Sequence, residues 1–201
     1  MANLYQDMLK RSIENGILDK NTVDARNWFR EESQAVKPSE ARRNVRSEFL
    51  ANGKALITVG RLYMFMYDPK TRETIPYYDA FPVVFPFQKA PGGFIGLNMH
   101  YLPPTYRAIL MDRLYLLINN ERYDDSTRLQ KISYDILTSM SRFKFSKPCI
   151  KHYLYNNVMS RFIYVHPEHW EMALFLPLEQ FRKTTKNRVH LDSIKIIKGS
   201  R

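Results

Sequence analysis

Apolar positions recur at helical spacing near the start of the chain. Tyr5, Leu9 and Ile13 fall four apart and Gly16 offers a stop, which predicts a helix over Leu4 to Glu14. Asn21 or Thr22 can cap a second helix that carries Trp28 and Phe29 and ends at Pro38. Ser39 to Phe49 holds Arg42, Arg43 and Arg46, with only Val45 and Phe49 as apolar anchors. That pattern suits a short helix or an arm lying on something else. Residues 1–52 are poorer in apolar side chains than the rest of the chain, so they are expected to form an N-terminal helical extension that docks.

From Ala55 the period changes. Ala55 to Val59 and Leu62 to Tyr67 are β-branched and aromatic, which favours strands. Asp68 to Arg72 reads as a turn built on Pro69, with Thr74 to Tyr78 as the return strand. Phe81 to Phe87 is a further extended run. Pro82 and Pro86 cannot donate to a ladder, so this run is expected at an edge or a bulge. Ala90 to Gly93 makes a second turn, Phe94 to Tyr101 another strand, and Pro103-Pro104 stops extended structure. Four or five short strands over residues 53–104 predict a small antiparallel barrel of the SH3-like class, or a strongly bent sheet.

Helical spacing returns after Pro104. Tyr106, Leu110, Leu114 and Leu117 share one face, and Leu129, Ile132, Ile136 and Met140 another. Pro148 can open a third helix through Ile150, Leu154 and Val158, and Pro167 a fourth through Trp170 and Leu174. Phe162 to Val165 suits a short strand. Residues 105–181 are therefore expected as a helical region packed on the barrel. Residues 182–201 form a basic tail with a possible strand at Ile194 to Ile197. The fold class is α+β.

Composition changes this picture in one respect. Of 201 residues, 31 are Lys or Arg against 20 Asp or Glu, a formal net charge of +11 that is unevenly spread. Arg182, Lys183, Lys186, Arg188, Lys195, Lys198 and Arg201 face only Asp192, and Arg142, Lys144, Lys147 and Lys151 face no carboxylate between Ser141 and Ser160. With Arg42, Arg43 and Arg46 these are the candidate contacts for phosphate or for an acidic protein surface. A solvated basic face is the plain alternative. The single Cys149 excludes an internal disulfide, which points to a reducing compartment. No apolar run reaches the ~20 residues of a spanning helix, and no signal-peptide pattern opens the chain.

Candidate chemistry is thin. Cys149 and His152 lie three apart without an orienting third residue, so a buried thiol is the stronger reading. His166 and His169 supply two ligands where zinc needs three or four. Asp68 with Asp79, and Glu168 with Glu171, match no general acid–base motif. Gly92, Gly93 and Gly96 belong to a hairpin rather than a phosphate cradle, since no helix begins there. Tyr77, Tyr78, Phe81, Phe85 and Phe87 could stack bases, with Arg61 or Lys89 on phosphates, although a small sheet needs aromatics first for its own core. No catalytic residue, metal or cofactor is expected, and the protein is expected not to be an enzyme.

Four segments resemble one family: Tyr63 to Asp79, Gly92 to Pro104, Phe145 to Leu154 and Arg161 to Phe181. They are similar to small proteins of T-even-like, contractile-tailed bacteriophages, over roughly residues 20–190. The resemblance implies a phage protein with a role in the particle or its DNA. The first expectation is a structural virion component at the baseplate, tail or neck. Such a component would contact other virion proteins in a symmetric ring or wedge, and would be made in the host cytoplasm. The second is a DNA-binding protein acting at genome ends or during packaging.

Overall fold

The computed structural model describes residues 2–20, 22–53, 55–118 and 144–199. Its centre is an open five-stranded antiparallel sheet in the order β5-β4-β3-β1-β6. The strands are β1 (Leu62–Met64), β3 (Val83–Ala90), β4 (Gly93–Asn98), β5 (Ile150–Leu154) and β6 (Ile163–Val165). A separate ribbon pairs β2 (Tyr78–Asp79) with β7 (Phe181–Arg182). The helices are α1 (Ala2–Glu14), α2 (Val23–Ala35), α3 (Pro38–Asn52), α4 (Pro104–Ile118), α5 (Trp170–Phe175) and α6 (Lys186–Gly199). The expected α+β class is thus met by a sheet that stays open and does not close into a barrel.

Strand alternation explains why so many consecutive residues are apolar. Leu62, Met64, Val83, Phe85, Leu97, Ile163 and Val165 join the main core under the helices. Tyr63, Phe65, Val84, Phe94, Tyr153 and Phe162 point to the other face and form an aromatic cluster there. Successive side chains alternate across a strand, so a sheet covered on both faces needs an uninterrupted apolar run. In the second cluster, the Phe65 ring lies edge-on to Tyr153 at 5.2 Å and to Phe162 at 5.1 Å.

Several expected elements take other forms. Residues 55–59 are not a strand; they bend so that the Thr58 amide donates to the Tyr63 hydroxyl at 2.9 Å. Of the expected return strand, Thr74 to Tyr78, only Tyr78 lies in a strand, where it joins Asp79 in β2. The run containing Pro86 is the central strand, not an edge. The proline is accommodated by a register shift between Pro86 and Gln88, the expected bulge. Its carbonyl accepts from the Gly60 amide at 2.8 Å. Ile150 to Leu154 is an edge strand where a helix was expected, while the short strand expected at Phe162 to Val165 is present as β6. The expected strand at Ile194 to Ile197 is the end of α6, in which Val189, Ser193 and Ile197 recur every four residues on the buried side. Pro38 starts α3 rather than simply ending α2. The predicted helix carrying Leu129, Ile132, Ile136 and Met140 lies outside the described residues.

The N-terminal helices share the core. Leu4, Tyr5 and Met8 of α1, Phe29 of α2, and Ala41 and Val45 of α3 all belong to the main cluster. Thr22 caps α2 by accepting from the Ala25 amide at 3.1 Å. Helix α5 is buried on all sides, and its Trp170 indole donates to the Val165 carbonyl at 3.2 Å.

Candidate nucleic-acid interface

Two clefts flank the β2–β7 ribbon. In that ribbon Tyr78 stands opposite Arg182 and Asp79 opposite Phe181. Directly opposed residues of antiparallel strands have Cα atoms about 4.5–5.5 Å apart, so a cleft lined by β2 and one lined by β7 are close neighbours.

The first cleft is cationic, about 380 Å³ in volume, and brings together Arg42 of α3, Arg182 of β7 and Lys186 at the start of α6. Thr184 and Thr185 add hydroxyls, and Thr185 caps α6 by accepting from the Arg188 amide at 3.3 Å. Arg42, Arg182 and Lys186 are exposed. Glu179 at its base is already engaged, by Arg107 at 3.1 Å and by Lys186 at 3.8 Å. Burial alone would raise the Glu179 carboxyl, but Arg107, His100 and Lys186 outweigh it and hold the group at about 2.

The second cleft is aromatic, about 470 Å³, with Tyr67, Tyr77, Tyr78, Tyr101 and Tyr153 among its walls and Lys70, Lys151 and His152 as its basic groups. The Lys151 ammonium lies 4.0 Å from the Tyr101 ring centroid. Among the described residues it pairs with no carboxylate. Burial holds its pKa below the ordinary lysine range. The one carboxylate lining this cleft, Asp79, is turned inward. Its oxygens accept from the Phe81 amide at 3.0 Å, the Gln180 amide at 3.1 Å and Asn98 Nδ2 at 3.1 Å, and lie 2.7 Å from His100 Nδ1.

Lys183 links the two clefts. Its backbone is left-handed, with φ at 67°, and its ammonium donates to the carbonyls of Glu73 at 3.1 Å and Ile75 at 3.3 Å. A side chain in that conformation is strained, and such strain persists only where surroundings hold it. Here the hold ties the end of β7 to the loop that forms the outer wall of the aromatic cleft.

The other described basic candidates line neither cleft. Arg43 is exposed on α3, and Arg46 lies on the same helix. Lys144 opens the 3₁₀ turn before β5, and Lys147 in that turn is exposed. Arg188 sits 3.4 Å from Asp192, while Lys195 and Lys198 are exposed on α6. Arg142 and Arg201 lie outside the described residues. Of the aromatics considered for stacking, Phe81 and Phe85 belong to the core. Arg61 covers the Tyr164 ring at 5.3 Å.

The remaining candidates separate. Cys149 is fully buried and its thiol is pushed up to about 12 by burial, whereas His152 is exposed on β5. His166 and His169 have ring centroids 6.2 Å apart, and His169 packs on Tyr5. Among the described residues no group of three or more His, Cys, Asp or Glu could hold a metal ion. No helix among them is long and apolar enough to cross a membrane.

Sequence reading did not find the buried charge networks. Arg30 of α2 grips both oxygens of Glu171 on α5 at 2.7 Å and reaches Asp112 of α4 at 2.7 Å. Arg107 of α4 donates to the carbonyls of Leu174 and Leu102 and to Glu179. Their acidic partners lie 72 or more residues away along the chain, so no local motif marks them.

Fold and clefts define a basic α+β protein in which three exposed cations converge on one cleft beside an aromatic one. Residues 1–196 match the family described as phage T4 terminal DNA protecting protein, and the chain belongs to that family. The resemblance to T-even-like phage proteins is thereby substantiated. The family description speaks of DNA termini, as the second expected function does, and not of tail, baseplate or neck. No curated protein and no solved structure matches the chain.

Proposed function

We propose that this protein binds the ends of phage DNA and shields them. The observation that carries this reading is membership, across residues 1–196, of a family described by DNA-terminus protection. A net charge of +11 and the convergence of Arg42, Arg182 and Lys186 in one cleft supply the phosphate-binding chemistry the role requires. The protein acts by occupying the end, not by chemistry on it. A thiol held at about 12 is not a nucleophile at neutral pH, and Cys149 is sealed from solvent. Its partner is DNA, and its place is the virion, after synthesis in the host.

Exonuclease digestion of end-labelled linear duplex tests the proposal. Saturating protein is expected to slow digestion strongly at low salt and weakly at high salt. Digestion at an unchanged rate under low salt would overturn it.

A further inference from the structure

The aromatic cleft contains an ammonium without an anion. Lys151 is half-buried on β5, rests on the face of Tyr101, and has no carboxylate partner among the described residues. A cation partly removed from water without a counter-charge is costly unless something arrives to pair with it. Asp79, the one carboxylate at the cleft, cannot serve because its oxygens already face four donors inside the protein. An incoming anion would pair with Lys151, with Lys70 and His152 also bordering the same space.

The walls specify what that anion is attached to. Tyr77 and Tyr78 are half-buried and line the cleft, and Tyr77 also packs against the main core with its ring centroid 6.2 Å from that of Tyr101, so the pair adds aromatic surface to the wall. Aromatic side chains beside cations are the recurring platform for single, unpaired nucleotides, because every base has a face to stack. The volume of about 470 Å³ falls in the range of small-molecule sites. A stacked base pair inside a duplex cannot enter such a cleft, whereas the last nucleotide of a strand can. The neighbouring cationic cleft, across the β2–β7 ribbon, is placed to hold the backbone next to that nucleotide.

We propose that the cleft between Tyr77, Tyr78, Tyr101 and Lys151 receives the terminal nucleotide of a DNA strand, its base on the tyrosines and its phosphate on the lysine. This rests on the end-binding reading above and adds the means by which an end is told from an interior site. Lys183 matters here as a positioning residue, since it fixes the Glu73–Ile75 loop beside Tyr77.

The experiment places 2-aminopurine either at the terminal or at a central position of a 5′-phosphorylated duplex and follows its fluorescence with the full-length protein. Stacking is expected to change the terminal probe's signal and leave the central probe unaffected. Tyr77→Ala and Lys151→Met should each abolish the terminal change and weaken end binding about tenfold. Tyr77→Phe should behave as the parent, and removing the 5′-phosphate should mimic Lys151→Met. Circular dichroism and thermal melting verify that each variant is folded, and Lys70→Ala at the exposed rim supplies a second cation variant. If the parent binds no DNA at all, the end-binding reading itself fails. If it binds ends while the terminal probe is silent, or while folded Tyr77→Ala and Lys151→Met bind as the parent does, this inference alone is overturned.

Discussion

Arg30 and Arg107 are arginines of a basic chain that work inside it. Each is buried, and each joins segments far apart in sequence. Burial pushes the Glu171 carboxyl up, and the Arg30 guanidinium opposes that push. Breaking a buried pair from one side leaves the other charge stranded, at a cost of about 3–5 kcal/mol. Arg30→Ala is therefore expected to lower the unfolding free energy from urea titration by that amount, and Arg30→Ala combined with Glu171→Gln to recover part of it. Glu179 gives a pH prediction. Its folded value of about 2 lies below the usual 4.5, so its contribution is complete above pH 4.5 and is lost as pH falls toward 2. The shift corresponds to roughly 3 kcal/mol. Glu179→Gln should reduce stability at pH 7 and flatten the fall between pH 4.5 and 2, as read by chemical denaturation across pH. None of these pairs was legible in the sequence, because an arginine bound for the core and one bound for a phosphate have the same side chain. Lys151 shows the same ambiguity: it counts among the basic candidates, but only the fold shows it seated over Tyr101 rather than projecting freely.

At the scale of elements, local chemistry was readable and long-range pairing was not. Helices α1 and α2 follow from their spacing and the Thr22 cap, and β4 from the turn that precedes it. Ile150 to Leu154 shows both kinds of information in conflict. Its apolar spacing fits a helix, yet pairing along its full length with β4 makes it a strand. Pro86 likewise suggested an edge, and the bulge lets it stay at the centre. Pairing of β4 with β5 depends on Gly93, where an added Cβ would stand 1.9 Å from the Tyr153 carbonyl oxygen. Gly93→Ala must push β5 away, and with it Lys151 and Tyr153 at the aromatic cleft. It is expected to cost about 3 kcal/mol in thermal or urea unfolding. It should also reduce end binding more than its loss of stability alone would.

Across the whole molecule, the fold gathers cations from α3, β7 and the start of α6 that are about 140 residues apart in sequence. Charge windows in the sequence indicated a basic partner surface but not this convergence, because Arg42 lies far from the C-terminal run. Replacing Arg42, Arg182 and Lys186 together by Ala should reduce the slope of log affinity against log salt by up to about 3, one for each phosphate no longer neutralised. The same change should lower the melting temperature only slightly, since the three side chains are exposed and, among the described residues, only the 3.8 Å pairing of Lys186 with Glu179 is lost. The central claim is that the protein recognises an end rather than duplex in general. The most direct measurement compares its affinity for a linear duplex with that for a covalently closed circle of the same sequence and length, at one salt concentration. Tighter binding to the linear molecule is expected, at two sites for each duplex. Equal affinity for line and circle would contradict it.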